Sequence, residues 1–286
     1  MVTANDHAPD PAAAPMRQAG LATRPRLVAA LAIVVLAATG GVYLGLMVAD
    51  AAQAGSLGRA LFAALCRADF AREISPGRFA LVLLMWCAMV LVMMVPTASP
   101  MVMTYAQIAD TAARKGERVA SPLVLIAAFT AVWFGFALAA SVLQAALVAA
   151  ALLDPSLRIA GGLLSAATFL AAGAYQFSAL KHACLTRCRQ PFPFFFANWT
   201  AQPIGVFRLG LRQGVYCVGC CWAMMLVMFA VGVMNVAWMA ALGVAMAIEK
   251  LGTGLRFTRM IGAVLLTIGV VVLAWSIAAH WPAPSG

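Results

Sequence analysis

The sequence predicts an all-α protein, a polytopic bundle of about seven transmembrane helices, six if one long apolar stretch is a single helix. Of its 286 residues 64% are hydrophobic and 10% charged, with mean hydropathy +0.96. Soluble domains are about half apolar and about a quarter charged. The apolar residues form runs of the length, about 20 residues, that a hydrocarbon core of about 30 Å demands. The charges gather between those runs, and no basic helix or aromatic-interleaved patch appears. The formal charge of +10 therefore reads as a topology signal and as headgroup contacts. Membrane lipid is the expected surroundings, and nucleic acid is excluded as a partner.

Residues 1–26 are Ala-, Pro- and polar-rich, a flexible tail ahead of a helical membrane domain over 27–286. The run 27–49 is longer than a signal-peptide core, although Ala52-Gln53-Ala54 mimics a cleavage site, and is read as an uncleaved first span. A mixed-charge connection follows, with an amphipathic patch over 57–70 suited to the interface. The run 79–109 is broken by Pro96 and Pro100, whose freed carbonyls need partners, and Thr97, Ser99 and Thr104 are near enough to serve. Met85, Met89 and Met93 share one face of this run, a pattern read as packing. Two more spans follow over 123–153 and 159–177, the second rich in glycine at Gly161, Gly162 and Gly173, which permits close helix approach.

Residues 181–213 turn polar and aromatic and read as an interfacial loop. The run 214–248 would make a helix of about 52 Å at about 1.5 Å per residue, too long for one crossing. A hairpin turning at 232–235 fits better, so 175–250 becomes a cysteine-bearing loop followed by a hairpin. With the hairpin, one side of the membrane collects 14 of the 19 lysines and arginines, and without it only 11. The stronger asymmetry places the amino terminus in the cytoplasm and the cysteines at the cytoplasmic mouth. A last run, 260–279, ends near Trp275 and Trp281, an aromatic belt.

The chemistry concentrates in 175–250, which holds five of the seven cysteines. From Cys217, helical offsets of 4, 7 and 11 reach Cys221, Met224 and Met228, stacking two thiols and two thioethers on one stripe flanked by Cys220. His182, Cys184 and Cys188 offer a second set of ligands, and Lys181, Arg187 and Arg189 around them are expected to favour the thiolate. Soft sulfur donors with few nitrogen or oxygen ligands suit copper(I). Zinc is a weaker fit, because it takes a closed set of Cys and His. Cys66 and Cys87 read as small packing residues. With three histidines in the chain, His-based metal chemistry is disfavoured. No Ser/His/Asp grouping, Walker-type loop or HExxH occurs. Glu249-Lys250 reads as a local interfacial pair.

These residues carry a resemblance. Tyr175-Gln176, Lys181-x2-Cys184-x3-Cys188-Arg189-x-Pro191, Gly214-x2-Cys217-x-Gly219-Cys220-Cys221-Trp222, Gly232-x-Met234-Asn235-x2-Trp238-Met239 and Glu249-Lys250 resemble a bacterial family described as predicted metal-binding integral membrane proteins. The likeness spans about residues 79 to 251, including Trp86, Met93-Met94 and Pro96. It implies metal binding through Cys184, Cys188, Cys217, Cys220 and Cys221 in the bacterial inner membrane, and no established reaction. Three functions stay open: handling a soft metal for a partner protein; a membrane thiol-disulfide oxidoreductase using Cys217/Cys220 and Cys184/Cys188; and a subunit of a larger membrane complex such as a copper-dependent oxygenase.

Overall fold

The computed structural model describes residues 76–280, apart from 155–157, 234 and 253, together with a few residues between 31 and 42. The tail, most of the run 27–49, the 57–70 patch, Cys66 and Trp281 lie outside the described residues. Among the described residues the chain is an all-α bundle without strands, with one isolated bridge between Leu153 and Ile159.

The prolines act as expected. Helix α1 (Pro76–Met94) gives way to a 3-10 turn (Pro96–Ala98), and α2 (Ser99–Arg114) restarts with Pro100 in its first turn. Thr97 Oγ1 donates to the Met94 carbonyl (2.8 Å), and Thr104 Oγ1 donates to that of Pro100 (2.7 Å). Met85, Met89 and Met93 are all buried in the core. Helix α3 (Pro122–Ala149) starts at Ser121, whose side chain accepts from the Leu123 amide. It is pinned to α1 by a buried bond from Trp86 Nε1 to Gln144 Oε1 (2.8 Å).

Helix α4 (Gly162–Tyr175) runs against the last helix, α9 (Arg256–His280). The approach is as close as the glycines allow: a Cβ on Gly173 would stand 2.9 Å from the Leu266 backbone nitrogen. The expected loop over 181–213 is helical instead. Ser178 caps α5 (Ala179–Arg189) by accepting from the Lys181 amide at 3.1 Å, and prolines open both α6 (Pro191–Ala197) and α7 (Pro203–Val231). Proline costs nothing at a first helical turn, so a stretch that looks broken in sequence is a series of restarts.

Helix α7 is the hub, packed against α3, α4, α5 and α8 (Val236–Leu251). The turn between α7 and α8 falls where the length argument places it. Gly232 takes φ of 98°, a conformation that suits glycine, and Asn235 caps α8 by accepting from the Trp238 amide at 3.2 Å.

All six runs expected after residue 75 are helical, and not all of them are long enough to cross a membrane alone. Four stretches among the described residues are long and apolar enough to cross a membrane, Pro76–Arg114, Pro122–Ala149, Pro203–Val231 and Arg256–Ala279, or five if α4 and α5, bent by 61°, form one broken span. Helix α4 has 14 residues and α8 has 16, about 21 and 24 Å at about 1.5 Å per residue, against a core of about 30 Å. Exposed apolar side chains such as Val270, Val271 and Trp275 on α9 suit lipid contact.

Candidate functional site

The early start of α7 moves the cysteines. Cys217 is 14 residues into a helix that begins at Pro203, so the thiols lie near its middle and not at its mouth. Cys217, Cys221, Met224 and Met228 are all buried on the stripe their spacing dictates, and Cys220 is buried beside it. The Cys220 thiol donates to the Cys217 carbonyl (3.2 Å) and stands 3.4 Å from the Cys221 sulfur.

Helix α5 lays Cys188 over this group, its sulfur 4.0 Å from that of Cys220. Close approach is possible because position 219 is glycine: an added Cβ would sit 2.7 Å from the Cys184 sulfur. The Tyr175 hydroxyl donates to the Gly219 carbonyl, and its ring meets Trp222 edge-on at 5.1 Å. Cys217, Cys220, Cys221 and Cys188 are thus brought together from two helices. Cys184 packs half-buried on Gly219, and Met228 lies almost two turns beyond Cys221. His182 is turned elsewhere, its Nε2 3.0 Å from the Gln176 carbonyl. Among the described residues no three or more His, Cys, Asp or Glu surround a common point as a ready-made metal site. The thiols meet pair by pair.

Two lysines complete the neighbourhood. Lys250, at the end of α8, reaches across to α7 and the 3-10 turn. Its Nζ donates to Thr97 Oγ1 (2.7 Å), the Cys217 sulfur (3.0 Å) and the Met94 sulfur (3.8 Å). Lys181 forms a fully buried ion pair with Glu249 Oε2 (2.8 Å) and also approaches the Met224 sulfur (3.9 Å). Arg189 Nε donates to the Glu249 backbone carbonyl (2.7 Å).

Glu249 and Lys250 are therefore not a local surface pair. Adjacent residues on a helix point about 100° apart, so the two side chains part company and each meets a different helix. The cations flanking the first cysteine pair also differ from expectation. Lys181 is held by Glu249, Arg189 by a backbone carbonyl, and Arg187 by the Tyr216 hydroxyl (2.6 Å) and ring. The cation on a thiol is Lys250, from a helix 33 residues further on. The usable signal was an ionisable pair closing an apolar run, a functional candidate wherever it lies within a membrane bundle.

Beside Cys217 is a small cavity of about 20 Å³ lined by Thr97, Met101, Cys188, Gln213 and Lys250 among others. Room for one water or small ion needs about 10–15 Å³. Among the described residues the buried Gln213 Nε2 has no hydrogen-bond partner. Buried polar groups are rarely left so, which marks this as polar, ion-tolerant ground inside an apolar bundle.

A family model described as copper chaperone (PpoB2) matches residues 83–272. The chain belongs to this family. The match runs from α1 into α9, so it takes in every thiol of the cluster, both buried lysines and Glu249. Copper is the metal this family handles, and a copper chaperone works with a partner protein. No curated protein and no solved structure matches the chain.

Proposed function

We propose that this copper chaperone family member binds copper(I) within its membrane bundle through Cys217, Cys220, Cys221 and Cys188, and hands it to a partner protein. The observation that carries this is the gathering of buried Cys217, Cys220 and Cys221 on α7 beneath half-buried Cys188 on α5, with the Cys220 sulfur beside two of the others. Bonds of about 2.3 Å to a tetrahedral metal leave sulfurs about 3.8 Å apart, and the neighbours of the Cys220 sulfur, at 3.4 and 4.0 Å, bracket that spacing. Small shifts of these side chains suffice to turn pairwise contacts into a shared site. Thiolate donors with no imidazole or carboxylate among them select copper(I) over harder ions.

Met224 and Met228 extend the sulfur stripe along α7, and half-buried Cys184, one turn from Cys188, is placed to pass copper between the surface and the buried thiols. The long apolar helices and the family resemblance suit a bacterial inner-membrane setting, and the positive-inside bias of the seven-span reading favours a cytoplasmic amino terminus. Anaerobically purified protein reconstituted with copper(I) is expected to show a first shell of sulfur alone by X-ray absorption. A shell dominated by nitrogen or oxygen overturns the proposal.

One contact favours a second reading, thiol-disulfide exchange, because Cys188 and Cys220 are already at 4.0 Å. A disulfide requires about 2.05 Å. Oxidative trapping of a Cys188–Cys220 bridge that turns over with a thiol substrate would favour it.

A further inference from the structure

The Lys250 ammonium occupies a position with the donor set of a metal site. Cys217 from α7, Met94 from the end of α1 and Thr97 from the 3-10 turn converge on one atom, Nζ, at 3.0, 3.8 and 2.7 Å. Two of the three are sulfurs. An ammonium is a compact point charge, and burying it without electron-rich neighbours is costly. The nearby carboxylate does not serve, because Glu249 Oε2 is held by Lys181. The chain has instead gathered soft donors about a monovalent cation.

We propose that Lys250 is a placeholder cation: in the metal-free chain its ammonium holds the position between Cys217 and Met94 that copper(I) takes, and Met94 is a copper ligand. This rests on the copper reading above and goes beyond it, since it adds a ligand from a different helix and a device for release. On displacement the ammonium retains Thr97 Oγ1, its shortest contact, and the adjoining cavity of about 20 Å³ gives it space. No redox change is involved; copper(I) and the ammonium exchange places at one sulfur. A tethered competitor limits how tightly copper is held and speeds its departure, as a chaperone requires.

The test is an anaerobic competition titration of the full chain against a chromogenic copper(I) chelator, comparing wild type with K250L, which removes the ammonium without adding a donor, and M94L. K250L is expected to raise copper affinity by about tenfold and to slow transfer to the chelator, while M94L lowers affinity by about tenfold. M94L is close to isosteric and is read a second way: X-ray absorption should count one sulfur fewer around copper than in wild type. That arm decides the matter if K250L does not fold. Copper binding by wild type with equal or weaker binding by K250L overturns the placeholder role alone. An M94L sulfur shell equal to that of wild type overturns it as well. A wild-type chain that binds no copper overturns both this inference and the copper reading.

Discussion

Lys181 and Glu249 are joined at 2.8 Å with neither side chain exposed beyond 1%, and this pair ties α5, which carries Cys188, to α8, which carries Lys250. A buried pair is held in place less by its own attraction than by the penalty of breaking it. Removing either partner leaves a naked charge inside the bundle.

Accordingly, K181M and E249Q are each expected to destabilise the protein by about 3–5 kcal/mol, and the double variant K181M/E249M to recover most of that loss. Thermal unfolding in detergent measures it. Additive losses in the double variant would contradict the pairing.

Gly219→Ala should act at a distance from its own helix. Its new Cβ would meet the Cys184 sulfur at 2.7 Å, so the Cys184 side chain must turn aside or α5, with Cys188, must shift. We expect destabilisation of about 1–3 kcal/mol, the range of overpacking, together with weaker copper binding. The double variant G219A/C184A, which removes the obstructing sulfur, should regain stability. Comparing the melting curves of the two variants checks this.

Trp86→Phe keeps an aromatic ring but removes the pyrrole portion of a fully buried indole, and with it the N–H bond to Gln144 Oε1. The buried amide oxygen loses its partner, at a cost of about 1–3 kcal/mol. Copper affinity should stay near wild type, since Gln144 lies on α3 and accepts from Trp86, apart from the helices α5 and α7 that carry the thiol cluster. A large loss of copper without loss of stability would show that α1 and α3 contribute to the site in some other way.

Gly232→Ala places a Cβ where φ is 98°, a strain of about 1–3 kcal/mol. A lowered melting temperature is expected, with α7 itself intact. No change would mean that the turn is not fixed as described.

Much of this arrangement was legible in the chain. The apolar runs after residue 75 are helices, the Pro96 and Pro100 break is real, and length and charge together placed a turn within 232–235. The sulfur stripe from Cys217 to Met228 follows from helical spacing, and it is buried. Residues 181–213 misled because arginines and other polar residues lower the hydropathy and prolines read as breaks, and neither prevents helix; the Ser178 cap and the two proline starts were the missed cues. The Lys181–Glu249 pair spans 68 positions and the Lys250–Cys217 contact 33. No local periodicity reports contacts of that range, and a hydropathy reading sends every lysine to the surface. Helices α4 and α8, of 14 and 16 residues, are short for single crossings, and the described residues hold four or five candidate spans.

The most direct test of the central claim is the copper(I) stoichiometry of anaerobically purified wild type beside C217S/C220S, with C87S as a control that removes a thiol outside the cluster. One copper per wild-type and C87S chain, and none held by C217S/C220S, is the predicted result. Full copper retention by C217S/C220S, or none in the wild type, would contradict the account.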